Sequence, residues 1–145
     1  MWPNEGAGDG RTEAAIQRFS EFWPVAYHCL FFADFYLWDC AGDWATPPDF
    51  TNGPEDQGID EHGAARFPNV HYSKAQLLGY AEYCRARARA VLATVTDAQL
   101  SSVLPGRHPH HGKTFGSLLD INLQHVREHG GRLADFVASG GVSAS

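Results

Sequence analysis

Apolar residues recur at three- and four-residue steps in three stretches of the chain, and no segment alternates apolar with polar residues as a half-buried strand would. The first stretch runs from Trp23 to Leu37. Proline suits a first helical turn and breaks an interior, so Pro24 predicts a helix that starts around Phe22 to Pro24 and continues to about Asp39. In the second, Ser73 and Gln76 have capping-box spacing, and Leu77, Leu78, Tyr80, Ala81, Tyr83, Cys84, Ala88, Val91, Leu92 and Val95 sustain a long helix. Thr96 to Leu100 predicts one further turn. In the third, Thr114 caps a last helix that ends before Gly140 and Gly141. The prediction is an all-α single domain over 1–145. Residues 1–11 are expected to be flexible, with Thr12 capping a short helix, and 140–145 to be a frayed tail. Prolines and glycines punctuate 40–72 too densely for regular elements, and 104–112 reads as a loop.

The last helix carries a conflict on its inner side. Its buried stripe reads Phe115, Leu118, Asn122, His125, His129, Leu133 and Phe136, so three polar groups occupy positions that should be apolar. Buried polar groups need partners, and a neutral imidazole can find one in a backbone carbonyl, a water or a carboxylate. His125 and His129, four apart, project from one helix face. They face an inward stripe on the first helix formed by His28, Phe31 or Phe32, Phe35 and Trp38. Satisfied core histidines and a three-histidine metal site are both open on spacing alone.

Composition narrows the partners. The 145 residues, 43% hydrophobic and 12% aromatic, suffice for one core. A formal net charge of −6 argues against a phosphate-backbone partner, which would require a concentrated positive surface. Cys29, Cys40 and Cys84 are odd in number and widely spaced, which fits reduced thiols in a cytoplasm better than disulfides or a thiolate metal site. The start of the chain lacks a basic segment followed by an apolar run, and no apolar stretch reaches the roughly 18 residues of a membrane span. A soluble cytoplasmic protein without nucleic-acid or membrane partners is expected.

The segment Trp23 to Leu37, the segment Tyr72 to Tyr80 with Arg85 and Arg87 following, and the segment Phe115 to His129 resemble the DinB-like superfamily of metal-binding helical bundles, over about residues 22–137. That resemblance implies an up-down four-helix bundle in which His28, His125 and His129 hold a divalent metal. It also implies activities such as transfer of low-molecular-weight bacterial thiols (mycothiol, bacillithiol), thiol-dependent isomerisation or metal-dependent hydrolysis. Relatives carry a full helix before the first metal histidine; with 27 residues ahead of His28, that helix is expected to be short or missing, and a homodimer is the expected assembly.

Three histidines leave coordination positions open, the arrangement of a catalytic metal, and zinc is the leading ion with nickel, iron or manganese as alternatives. Water or a thiol cosubstrate would occupy the open position, and a small molecule would be the substrate. A non-enzymatic metal- or ligand-binding bundle of stress-response type is the other reading. Asn122, one turn before His125, is either a contact to water or substrate or an amide satisfied by backbone. No general base emerges: Asp120 and Glu128 are candidates, but Glu128 lies off the inner stripe. Arg85 and Arg89, one turn apart, read as a solvated face or a clamp for carboxylates. The loop histidines His108, His110 and His111 are expected to sit mostly in water, and His62 and His71 carry still less signal. Gly130 and Gly131, inside the last helix, call for a compensating feature such as close contact with a neighbouring backbone or room for a bound molecule.

Overall fold

The computed structural model describes residues 22–47, 49–50 and 72–139. Among these, four helices form: α1 (Phe22–Phe35), α2 (Lys74–Thr94), α3 (Asp97–Leu100) and α4 (Phe115–Ala138). The only β-type pairing among the described residues is an isolated bridge between Val103 and Thr114. The expected flexible start, the Thr12-capped turn, the short or missing first helix, most of the long connection, and the tail lie outside the described residues, as do His62 and His71.

Local chemistry sets the helix boundaries. Ser73 accepts from the Gln76 backbone N–H while the Gln76 side chain accepts from the Ser73 N–H, and Thr96 and Gln99 repeat this exchange at α3. Thr114 Oγ1 accepts from the Ser117 N–H at 3.1 Å to open α4. α1 ends at Phe35 rather than about Asp39, although its apolar spacing continues. The Leu37 and Trp38 N–H groups bond the Asp34 and Phe35 carbonyls at 3.0 and 3.1 Å, tightening the last turn, and Cys40 and Gly42 then adopt φ of 70° and 72°. Arg107 donates to the carbonyls of both Cys40 and Gly42, fixing a reversal that a non-glycine residue rarely makes.

α1 is the central element, packed against α2 on one side and α4 on the other, while the backbones of α2 and α4 stay apart and α3 lies on α4. Gly116 permits that last approach, since a Cβ there would stand 3.2 Å from the Leu100 carbonyl oxygen. The main core is aromatic: Tyr27, Phe31 and Phe35 of α1 meet Tyr80 of α2, with Phe50 and Tyr72 closing over them. Burying a large side chain of this kind contributes about 1.5–3 kcal/mol. A second cluster of Leu104, Phe115 and Leu118 gathers Tyr36, Val91 and Val95 around the base of α4. The two clusters fix α1 between its neighbours and so set which of its residues face α4.

Candidate metal centre

His28, Phe32 and Tyr36 stand at four-residue intervals along α1 and its last turn, a single row facing α4. From α4 the expected stripe is the inward one: Phe115, Leu118, Asn122 and His129 are buried, and His125, Leu133 and Phe136 are half-buried. Opposed in this way, the helices bring the three imidazoles together. His28 Nε2 and His125 Nε2 are 3.2 Å apart. The His129 ring lies 4.8 Å from that of His28 and 4.4 Å from that of His125. One ligand nitrogen from each lies within 4.8 Å of the others.

These residues fit a divalent ion. Nitrogens bound at about 2.0–2.1 Å in a tetrahedral site are separated by about 3.3 Å, close to the His28–His125 spacing, and small imidazole rotations bring in the third. Charge state agrees. Burial, aided by the neighbouring His129, pushes the His125 imidazole down to about 4, and burial with Arg132 lowers His129 against the opposing pull of Glu128. Both rings are neutral at pH 7 and offer lone pairs rather than mutual repulsion. His125 Nδ1 is buried with no partner among the described residues, a polar demand that the packing leaves unmet.

Asn122 does something intermediate between its two expected roles. Its Nδ2 donates to the Ala33 carbonyl at 3.0 Å, tying α4 to α1, while its buried Oδ1 has no partner among the described residues. The remaining candidates stand apart from the cluster. Asp120 is exposed, and Glu128 is exposed and paired with Arg132 at 3.0 Å. Arg85 pairs with Glu82 in solvent and Arg89 is exposed, so the pair is a wet face rather than a clamp. Among the described residues, Gly130 and Gly131 have no close neighbour: a Cβ at either would meet nothing within 4 Å. No described backbone supplies the close contact expected beside them.

Two features went unread in the sequence. His108 is buried at 1% exposure, and His110 Nε2 lies 3.2 Å from the Tyr36 hydroxyl, so of the loop histidines only His111 is exposed. Asp34 is fully buried in α1; it accepts from the Tyr80 hydroxyl at 3.0 Å and pairs with Arg87 at 2.5 Å. A signal for this pair existed, because stepping from Leu77 through Tyr80 and Cys84 lands on Arg87, and Tyr27 and Phe31 lead to Asp34.

A helical frame with three histidines gathered between α1 and α4 matches a known family, whose model, described as the DinB superfamily, covers residues 12–133. The chain belongs to the DinB superfamily. The match begins at residue 12, ahead of the first segment that carries the resemblance, and so includes the stretch ahead of α1. No curated protein and no solved structure matches this DinB member. Among the described residues no helix is long and apolar enough to cross a membrane.

Proposed function

We propose that this DinB protein is a divalent-metal enzyme acting on a small molecule, with His28, His125 and His129 as ligands and thiol S-transfer as its reaction, ahead of hydrolysis. The observation that carries the reading is the cluster of three imidazoles from two helices, His125 and His129 held neutral by burial, with the His28 and His125 Nε2 atoms 3.2 Å apart. His28, His125 and His129 would hold a divalent ion with a position left open, and such an ion would supply the charge that deprotonates a water or thiol near neutral pH. The chain's own groups do the rest. Phe32, packed on His28 and His125, keeps one side of the cluster dry, and Asn122 Oδ1 presents an acceptor one turn from His125. The two α4 carboxylates closest in sequence to the ligands, Asp120 and Glu128, are solvent-facing. This supports thiol transfer, in which coordination alone readies the nucleophile, over hydrolysis assisted by a general base. Zinc is the ion proposed, with nickel, iron and manganese as competitors.

Elemental analysis of protein purified without a metal-affinity tag tests the first step. One divalent ion per chain is expected in the parent protein and none in His28→Ala or His125→Ala; a metal-free parent that also fails to bind added zinc would refute the site. Mycothiol, bacillithiol and glutathione, each with an electrophilic cosubstrate, test the second. Metal-dependent thiol consumption is expected, whereas stoichiometric metal with no turnover of any thiol or hydrolysable ester would favour the non-enzymatic ligand-binding bundle.

A further inference from the structure

The loop between α3 and α4 places a second imidazole where it has no obvious task. His108 lies flat on Phe35, ring centroids 5.4 Å apart and planes within 12°, with Trp38 5.8 Å away. The His110 backbone N–H donates to His108 Nδ1 at 3.0 Å. A neutral imidazole that accepts at Nδ1 carries its proton on Nε2, so the free nitrogen of His108 is a donor. Burial lowers the pKa of this ring and keeps it in that neutral form. His108 Nε2 and Trp38 Nε1 are both buried, and neither has a partner among the described residues. Two N–H groups on adjacent rings thus lack an acceptor. Leaving a buried donor unsatisfied costs about 1–3 kcal/mol, and native proteins rarely tolerate it.

The surroundings say what kind of acceptor would serve. The Arg107 guanidinium lies 5.2 Å over the Trp38 ring, and its nearest carboxylate, Asp43 at 3.7 Å, is fully in solvent and screened. Arg107 already occupies the carbonyls of Cys40 and Gly42. A water that accepted from both rings would bring two protons of its own that need acceptors. An anion has none.

We propose that His108 and Trp38 form a binding site for a small oxyanion, a carboxylate or a phosphate, with Arg107 supplying the favourable field. The site shares no residue with the three-histidine cluster and stands whether or not that cluster holds a metal.

The indole N–H signals of ¹⁵N-labelled protein provide the test, with that of Trp38 identified by its loss in Trp38→Phe. Sodium acetate and inorganic phosphate are titrated separately at ionic strength held constant with sodium chloride. The Trp38 signal should shift and saturate with one of the two, which identifies the class. His108→Phe, which keeps a flat ring against Phe35, should weaken binding at least tenfold. Should that variant fail to fold, calorimetric titration of Trp38→Phe, which keeps an aromatic ring but loses the indole N–H, should show the same tenfold loss. A response to neither anion, or an equal response to chloride alone, would mean that water satisfies these donors and would overturn the proposal, as would unchanged affinity in Trp38→Phe.

Discussion

The two sides of α1 face the same problem and solve it differently. Toward α2, the buried carboxylate of Asp34 receives the Tyr80 hydroxyl and the Arg87 guanidinium, so its polar demand is met from within the chain. Toward α4, His125 Nδ1 and Asn122 Oδ1 remain buried without partners among the described residues, and two imidazoles share one short Nε2 contact. The first side is a closed network, which contributes rigidity. The second is open among the described residues, with polar demands left for a bound group to meet. Stability and the proposed function are thus divided between two faces of one helix.

The sharpest way to break this comparison is to open the closed side. Arg87→Met retains the aliphatic stem but leaves Asp34 as a buried carboxylate without its cation. A loss of about 3–5 kcal/mol in chemical denaturation is expected at pH 7. The deficit should shrink in acid, because protonation of Asp34 removes the stranded charge. A loss below about 1 kcal/mol at pH 7, the range of an exposed ion pair, would show that the pair is not the tie between α1 and α2.

The matching change on the open side should separate stability from binding. His125→Ala removes one of three ligands, and metal affinity measured by competition with a chelator should fall at least about a hundredfold, equivalent to about 2.7 kcal/mol. The metal-free variant should lose about 1–2 kcal/mol relative to the metal-free parent, since the substitution removes the hydrogen bond to His28 and the ring contacts with Phe32 and Tyr36. Equal losses in both measurements would make the cluster a structural feature like the Asp34 network.

Acid provides a graded form of the same contrast. His125 titrates near 4 in the folded chain and near 6.5 when unfolded, and the pKa values of His129, His108 and His110 are lowered in the same direction. Above about pH 7.5 both states are neutral and these groups contribute no pH dependence. Below it the unfolded chain takes up protons that the folded one refuses, so stability falls, levelling for His125 only near pH 4. From pH 8 to 5, His125 alone should cost the metal-free protein about 2 kcal/mol. Denaturant midpoints at several pH values check this, and a flat profile would mean that the rings are better hydrated than their burial implies.

The open side is legible in the sequence and the closed side is not, for reasons that lie in the residues themselves. A histidine on an apolar stripe conflicts with its position, and two of them four apart, opposite a third, announce a shared task. Ser73, Thr96 and Thr114 likewise declare helix starts through interactions confined to one turn. Asp34 and Arg87 meet across 53 positions of sequence, and each alone looks like an ordinary surface charge unless the stripe is followed through it. The end of α1 is hidden because apolar spacing continues past Phe35 while the backbone reverses at Cys40, a residue type that gives no warning of positive φ. The burial of His108 is equally hidden, because it depends on Phe35 and Trp38, which come from another part of the chain.

The smallest expected effect concerns the two glycines beside His129. Each lowers the intrinsic stability of α4 by about 1 kcal/mol relative to alanine, and a methyl group at either would meet no obstacle among the described residues. Gly130→Ala and Gly131→Ala should each therefore stabilise the protein by about 0.5–1 kcal/mol in thermal or chemical unfolding, partly by restricting the unfolded chain. Metal affinity is the discriminating readout. If it is unchanged, function on this side of α1 is confined to the inner stripe from Asn122 to His129, and the glycines are a tolerated weakness. If stability rises while metal affinity falls several-fold, local freedom in α4 is itself part of the open face, allowing the imidazoles to close around an ion that the resting geometry only approaches.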